Sequence, residues 1–174
     1  MEKIMHDFFD LVNRSTIYTL ENLKNINIEV VEALQTSSST PLIKALQMIE
    51  LQKVIHAVGM FSIFEARLQE IFKDANYAFD QAEKVLKEKD EFALYEKFHD
   101  LRQAINVLKH GDGKSYDILL QKEHQLPFRI KKRDESFFCE GDVSEVTSLI
   151  KVDDEFVKYC AEIIYEVSKV IYQV

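Results

Sequence analysis

Arg102, Asn106 and His110 stand four residues apart in the stretch FALYEKFHDLRQAINVLKHGDG, residues 92–113. An α-helix advances about 100° per residue, so this spacing places the three in one slanted row. The residue types suit phosphate. Arginine offers a planar fork of donors and stays charged. Histidine titrates near neutral pH and can give or take a proton. Asparagine can orient either one. His99 and Lys109 flank the row. With Phe98 set at zero, the apolar stripe Phe98, Leu101, Ile105 and Leu108 centres near about −40°, and the row runs from about +40° to +120°. Such a row borders the core and can face a cleft or a second subunit. The plain alternative is a solvent-edge row, with Lys109 and His110 favoured near the negative end of the helix dipole.

The elements that must position this row read as helices. Only four Gly and two Pro occur in 174 residues, too few turn formers for a sandwich or barrel. The expected fold is all-α: a single domain over residues 1–174, an up-and-down bundle of four to six helices. A first helix reads from Glu2 to Gln35 on a stripe of Ile4, Phe8, Leu11, Val12, Ser15, Tyr18, Leu23, Ile26, Val30 and Leu34. The Thr36–Pro41 turn ends it, with Ser39 or Thr40 as the next N-cap. A second helix runs from Pro41 to Lys73. Its segment VIHAVGMFSIF, residues 54–64, is apolar nearly all round, as in a central bundle helix or an oligomer interface. There Gly59 allows close approach of a neighbour. Phe79, Ala82, Val85 and Leu86 carry a third helix to Lys89, and Asp90 reads as the N-cap of the fourth. Gly111 and Gly113 supply left-handed conformations at the end of the fourth, and a short helix is expected within Ser115–Gln125.

Leu126 to Ile150 is an irregular stretch in which Pro127 breaks any helix, with one or two short strands or a hairpin around Asp134-Glu135-Ser136. Asp153 then caps a last helix to Tyr172, whose apolar face includes Phe156, Val157, Cys160, Ile163, Ile164, Val167, Val170 and Ile171.

The formal charge of −8 is unevenly spread. Lys109, Lys114, Lys122, Arg129, Lys131, Lys132 and Arg133 face three acids between residues 109 and 133, a net of +4 that leaves −12 for the rest. Phosphate is held by local cations, so these seven are candidate RNA-binding residues. The other reading is a solvated basic turn.

GDGKS, residues 111–115, lacks the first glycine and the preceding strand of a P-loop. His6, His56 and His124 have no metal-ligand spacing with one another or with Cys139 and Cys160, so no metal or cofactor is expected. His56 reads as a hydrogen-bonded core residue, Cys160 as core, Cys139 as a thiol in the irregular stretch. Tyr116 either joins the Arg–His row or packs the turn. There is no signal-peptide layout and no apolar run long enough for a membrane span, and the cysteine usage suits a reducing cytoplasm.

The run LRQAINVLKHGDG, followed by a loop and a last helix entered through LIKVDDEF, resembles the HEPN superfamily of helical bundle domains. Many members are dimers and metal-independent ribonucleases of toxin–antitoxin, abortive-infection and CRISPR systems. Their motif is an Arg, usually followed by a polar residue, with four to six residues between the Arg and a His. Here Arg102 is followed by Gln103, and seven residues separate Arg102 from His110, one beyond that range. The resemblance implies a homodimer in which two copies of Arg102 and His110 meet. His110 would assist attack of an RNA 2′-hydroxyl on the adjacent phosphate, and Arg102 would steady the developing charge. Two other readings stay open: a non-catalytic helical module binding protein or nucleic acid, and an antitoxin or immunity-type partner. The acidic segment 134–174, of net charge −7, would be that partner's binding face.

Overall fold

In a computed structural model of the chain, the residues described are 2–37, 39–73, 76–135, 146 and 148–172, with side chains from Phe8 onward. They form six α-helices: α1 (Glu2–Leu34), α2 (Thr40–Phe72), α3 (Ala78–Glu88), α4 (Phe92–His110), α5 (Lys114–Leu120) and α6 (Asp154–Tyr172), with a 3-10 turn at Glu123–Gln125. The all-α bundle is as expected. Cys139 and most of the expected hairpin, from Ser136 to Glu140, lie outside the described residues. What is described there is one antiparallel bridge, Ile130 to Ile150, and no strand longer than that.

Four phenylalanines hold the centre. Phe61 and Phe64 of α2, Phe79 of α3 and Phe98 of α4 lie 5.6–6.4 Å apart between ring centroids in five contacts. α6 packs its apolar face, from Phe156 to Ile171, into the same core, with Cys160 fully buried. Burial pushes the Cys160 thiol up, far from any reactive range.

α1 departs from expectation. Leu11 and Tyr18 are 62% and 70% exposed, and Ile26 is exposed as well. Val12, Leu23 and Val30 are buried as expected, and Phe9, Thr16 and Leu20 complete the stripe. It passes through a polar residue, which is why the apolar pattern missed that part. Thr16 is buried because its hydroxyl is satisfied. It donates to the Val12 carbonyl at 2.8 Å, and its oxygen lies 3.2 Å from His56 Nε2 on α2. The same oxygen lies 3.1 Å from Met60 Sδ, so the hydroxyl has three partners in reach. His56 is therefore hydrogen-bonded, as expected, but half-buried rather than fully enclosed.

The helix ends carry two further corrections. Asp90 is not the N-cap of α4. It sits at φ 60 as the left-handed residue that ends α3. The Glu91 N–H bonds the Leu86 carbonyl at 2.9 Å and the Asp90 N–H bonds the Lys87 carbonyl at 3.2 Å, the two bonds of a Schellman motif. Glu91 takes the N-cap position. Gly111 has φ 75, as expected, whereas Gly113 at φ 171 is extended. Asp153 does cap α6: its Oδ1 accepts from the Phe156 N–H at 3.0 Å.

Asp153→Ala removes that acceptor and is expected to lower stability by about 1 kcal/mol, with Asp153→Asn close to wild type. Urea midpoints at unchanged slope measure both. A second expectation concerns pH. Burial lowers the His56 pKa below its usual 6.5. The unfolded chain then takes up a proton first on acidification, so the His56 contribution is full above pH 6.5 and declines as pH falls through the folded-state value. Replacing His56 by Gln should flatten that part of the stability–pH curve.

Candidate functional site

α3 and α4 form an antiparallel hairpin, and the row on α4 meets α3 directly. Arg102 Nη1 donates to Asp80 Oδ1 at 2.6 Å and to Glu83 Oε1 at 3.1 Å. His99 Nδ1 lies 3.1 Å from the same Glu83 oxygen. The Arg102 guanidinium also rests over the Phe79 ring, 5.6 Å from its centroid. Lys87 lies 3.9 Å from the Tyr95 ring centroid one layer on. The pairs 80/102, 83/99 and 87/95 all have residue 91 as their midpoint, so one register accounts for all of them.

These groups are well shielded. The Glu83 and Arg102 side chains are 12% and 24% exposed. Burial alone would raise the Glu83 pKa. The hydrogen bond from His99 and the charge of Arg102 outweigh it and hold the carboxyl below its usual value. Burial alone would lower the Arg102 pKa, and its bonds to Asp80 and Glu83 reverse that too. Asp80 and Glu83 are the partners that the sequence reading missed, and His99, read there only as flanking the row, joins Arg102 on Glu83. The signal for them was available: two acids three apart on α3 and two bases three apart on α4, equidistant from a tight turn.

Beyond Arg102 the row changes character. Asn106 is half-buried, and Lys109 and His110 are exposed at the end of α4. Asn106, Lys109 and His110 make no side-chain hydrogen bond or ion pair among the described residues. His110 comes eight positions after Arg102, about 12 Å along the axis, so within one copy they do not converge on the same phosphate. Asn106 and Lys109 join Arg102 on the wall of a small pocket between α4 and α2, opposite Phe61, Ser62 and Glu65 and against Phe79. Its volume of about 90 Å³ holds a few waters and no nucleotide.

The basic segment is compensated. Lys122 pairs with Glu96 at 3.6 Å and with Asp100. Arg129 pairs with Glu135, and Lys132 with Glu123 at 2.9 Å. Arg133 forks onto both oxygens of Asp112 at 2.9 Å and reaches Asp117 at 3.1 Å. That bond from Arg133 holds the Asp112 carboxyl below its ordinary value. Lys131 serves through its backbone: its N–H bonds the Leu149 carbonyl, and its carbonyl accepts from the Tyr116 hydroxyl at 2.5 Å. Tyr116 is thus fully buried packing for the turn, under the Arg133 guanidinium. Lys114 stands exposed. A larger hollow of about 410 Å³ opens beside the start of α6, and Glu123, Asp153 and Glu155 outnumber Arg129 and Lys151 on its walls. Among the described residues no group of His, Cys, Asp and Glu is arranged to hold a metal ion. No helix among them is long and apolar enough to cross a membrane.

Arg102→Ala leaves Glu83 shielded and short of a partner. It is expected to cost about 2 kcal/mol in urea denaturation, the scale of hydrogen bonds to charged groups, and Arg102→Lys should recover part. Because the folded Glu83 pKa is depressed below 4.5, its contribution is full above that value and is lost as pH falls through the folded one. Glu83→Gln should therefore shrink the acid loss of stability.

No family model, curated protein or solved structure matches the chain, so these contacts carry the functional argument.

Proposed function

We propose that the chain is a HEPN-like helical domain acting as a non-catalytic interaction module, with a protein rather than a nucleic acid as its partner. One observation carries this reading: Arg102, the cation the ribonuclease motif requires, is engaged by two carboxylates of its own chain. The pairing of Lys122, Arg129, Lys132 and Arg133 with acids supports the preference for protein. Each cation a phosphate backbone would recruit must first leave a carboxylate. The setting the resemblance suggests is toxin–antitoxin or antiviral defence, where the partner is an antitoxin or another defence protein.

A second reading, the metal-independent endoribonuclease, is favoured by His110. It is exposed, ends the helix beside Lys109, and is bonded to no other side chain among the described residues.

Purified protein incubated with structured and single-stranded RNA, with and without magnesium, separates the two. The module leaves RNA intact, and His110→Ala changes nothing. Cleavage by the wild type that His110→Ala abolishes would install the ribonuclease in its place. Cleavage that survives the substitution would point to contamination of the preparation, which repurification removes.

A further inference from the structure

α1 and α2 outrun the helix that packs against them both. α6 lies against each. Its last turn touches α1, where Tyr172 meets Phe9 at 5.7 Å between ring centroids. Its first residue meets α2, where Asp154 takes Lys53 at 3.0 Å. From Lys53 back to Thr40, α2 runs on for about 20 Å beyond the start of α6. The facing part of α1 ends at Leu34. Leu23, Val30 and Ile49 are buried in this arm yet stand apart from the main core. That core goes no further than Leu20 on α1 and begins at half-buried Val54 on α2.

The groove that α6 fills continues along the arm. On α2, the residues one, two and three turns before Lys53 on its own side are Glu50, Leu46 and Leu42, all half-buried. On α1, the residues five and six turns after Phe9 on its own side are Asn27 and Val31. Both are exposed, Val31 to 44%. The closed end of this groove, at the first turn of α6, is acidic. Lys53 answers both Asp154 and Glu50, at 3.0 and 3.2 Å, so one cation stands between two carboxylates. The Glu155 side chain beside them is 82% exposed.

We infer that the open half of this groove takes a helix of a different protein, in line with α6, running the same way and basic in its last turn. A helix is the occupant because the filled half of the same groove holds one. Val31, Leu42 and Leu46 call for an apolar stripe at three- and four-residue spacing, over a length of about thirteen residues. Running the same way as α6, the incoming helix ends against the first turn of α6. Its negative C-terminal end then meets the positive end of α6, and lysine or arginine in its last turn meets Glu50, Asp154 and Glu155. The opposite direction would set two positive helix ends together. A second copy of this chain does not supply such a helix. α1 and α2, its helices with exposed apolar sides, end without a basic residue. α3, α4 and α6, which do end in basic residues, are built into its core.

This inference rests on the reading of the chain as a protein-binding module and narrows it to one face. The probe is a synthetic amphipathic helix of about fourteen residues, with leucines at helical spacing and lysines in its last turn. Titrated into the full chain and followed by fluorescence anisotropy, it should bind at micromolar concentration. The same peptide with lysines in its first turn and glutamates in its last should bind about tenfold more weakly. Val31→Asp places a charge in the groove at a position exposed enough for the fold to tolerate, and should abolish binding. Glu155→Lys should weaken the lysine-ended peptide and strengthen the glutamate-ended one. No binding of the lysine-ended peptide up to about 1 mM, equal binding of both peptides, or binding indifferent to Val31→Asp overturns the inference. So does a chain that is a dimer by itself and that Val31→Asp splits, because the groove then belongs to a second copy. Each failure shows in its own assay. Loss of peptide binding with RNA left intact removes this groove and keeps the module, whereas RNA cleavage abolished by His110→Ala removes the module itself.

Discussion

The burial of Phe98 is the constraint on which the other placements depend. Its ring, fully inaccessible, touches Phe61 and Phe64 of α2 and Phe79 of α3. Burying each such side chain is worth about 1.5–3 kcal/mol, and edge-to-face contacts add about 0.5–1.5 kcal/mol more. Once Phe79 and Phe98 meet, the neighbouring polar residues have little freedom. Arg102 follows Phe98 by one turn and lands over the Phe79 ring. Asp80 follows Phe79 and receives the guanidinium. His99 follows Phe98 and reaches Glu83, one turn along α3. The polar network is the edge of an aromatic cluster, set in place by it.

Much of the fold was legible because helices announce themselves through period and punctuation. α6 is the clearest case: Asp153 at the cap and an apolar face that is buried as read except for half-buried Val170. The failures are physical and particular. Thr16 carries the α1 stripe although it is polar, since a hydroxyl bonded to the Val12 carbonyl buries at small cost, and Leu11 and Tyr18 therefore face out. Asp90 has the side chain of an N-cap, but the chain needs a left-handed residue at that point to end α3, and aspartate tolerates that conformation better than most. Two uses of one residue type compete there, and the backbone geometry decides.

The candidate site was legible as a row and illegible as a network. The net charge of +4 over residues 109–133 counted neighbours in sequence. The acids that answer those cations come partly from elsewhere: Glu96 and Asp100 on α4, Glu135 just past the window. Antiparallel packing brings together residues whose separation no window sees. For the α3–α4 hairpin the rule is simple, because a tight turn at residues 89–91 makes equal distances from residue 91 face one another. The row's functional types were real. Their partners decided their role.

For Arg102 to hold a phosphate, it would have to give up Asp80 and Glu83. Asp80 is half exposed and water can replace the arginine. Glu83, at 12% exposure, has His99 alone to fall back on among the described residues. Hydrogen bonds to charged groups are each worth about 1.5–3 kcal/mol, so an incoming phosphate must first overcome the loss of such a bond at a shielded carboxylate. An exposed phosphate contact, screened by salt, offers little surplus over that. The balance leaves the bundle's shielded polar groups committed to holding helices together. What remains available to a partner is the surface the fold does not use, which on α1 and α2 includes exposed apolar side chains such as Leu11, Tyr18, Met48 and Ile55.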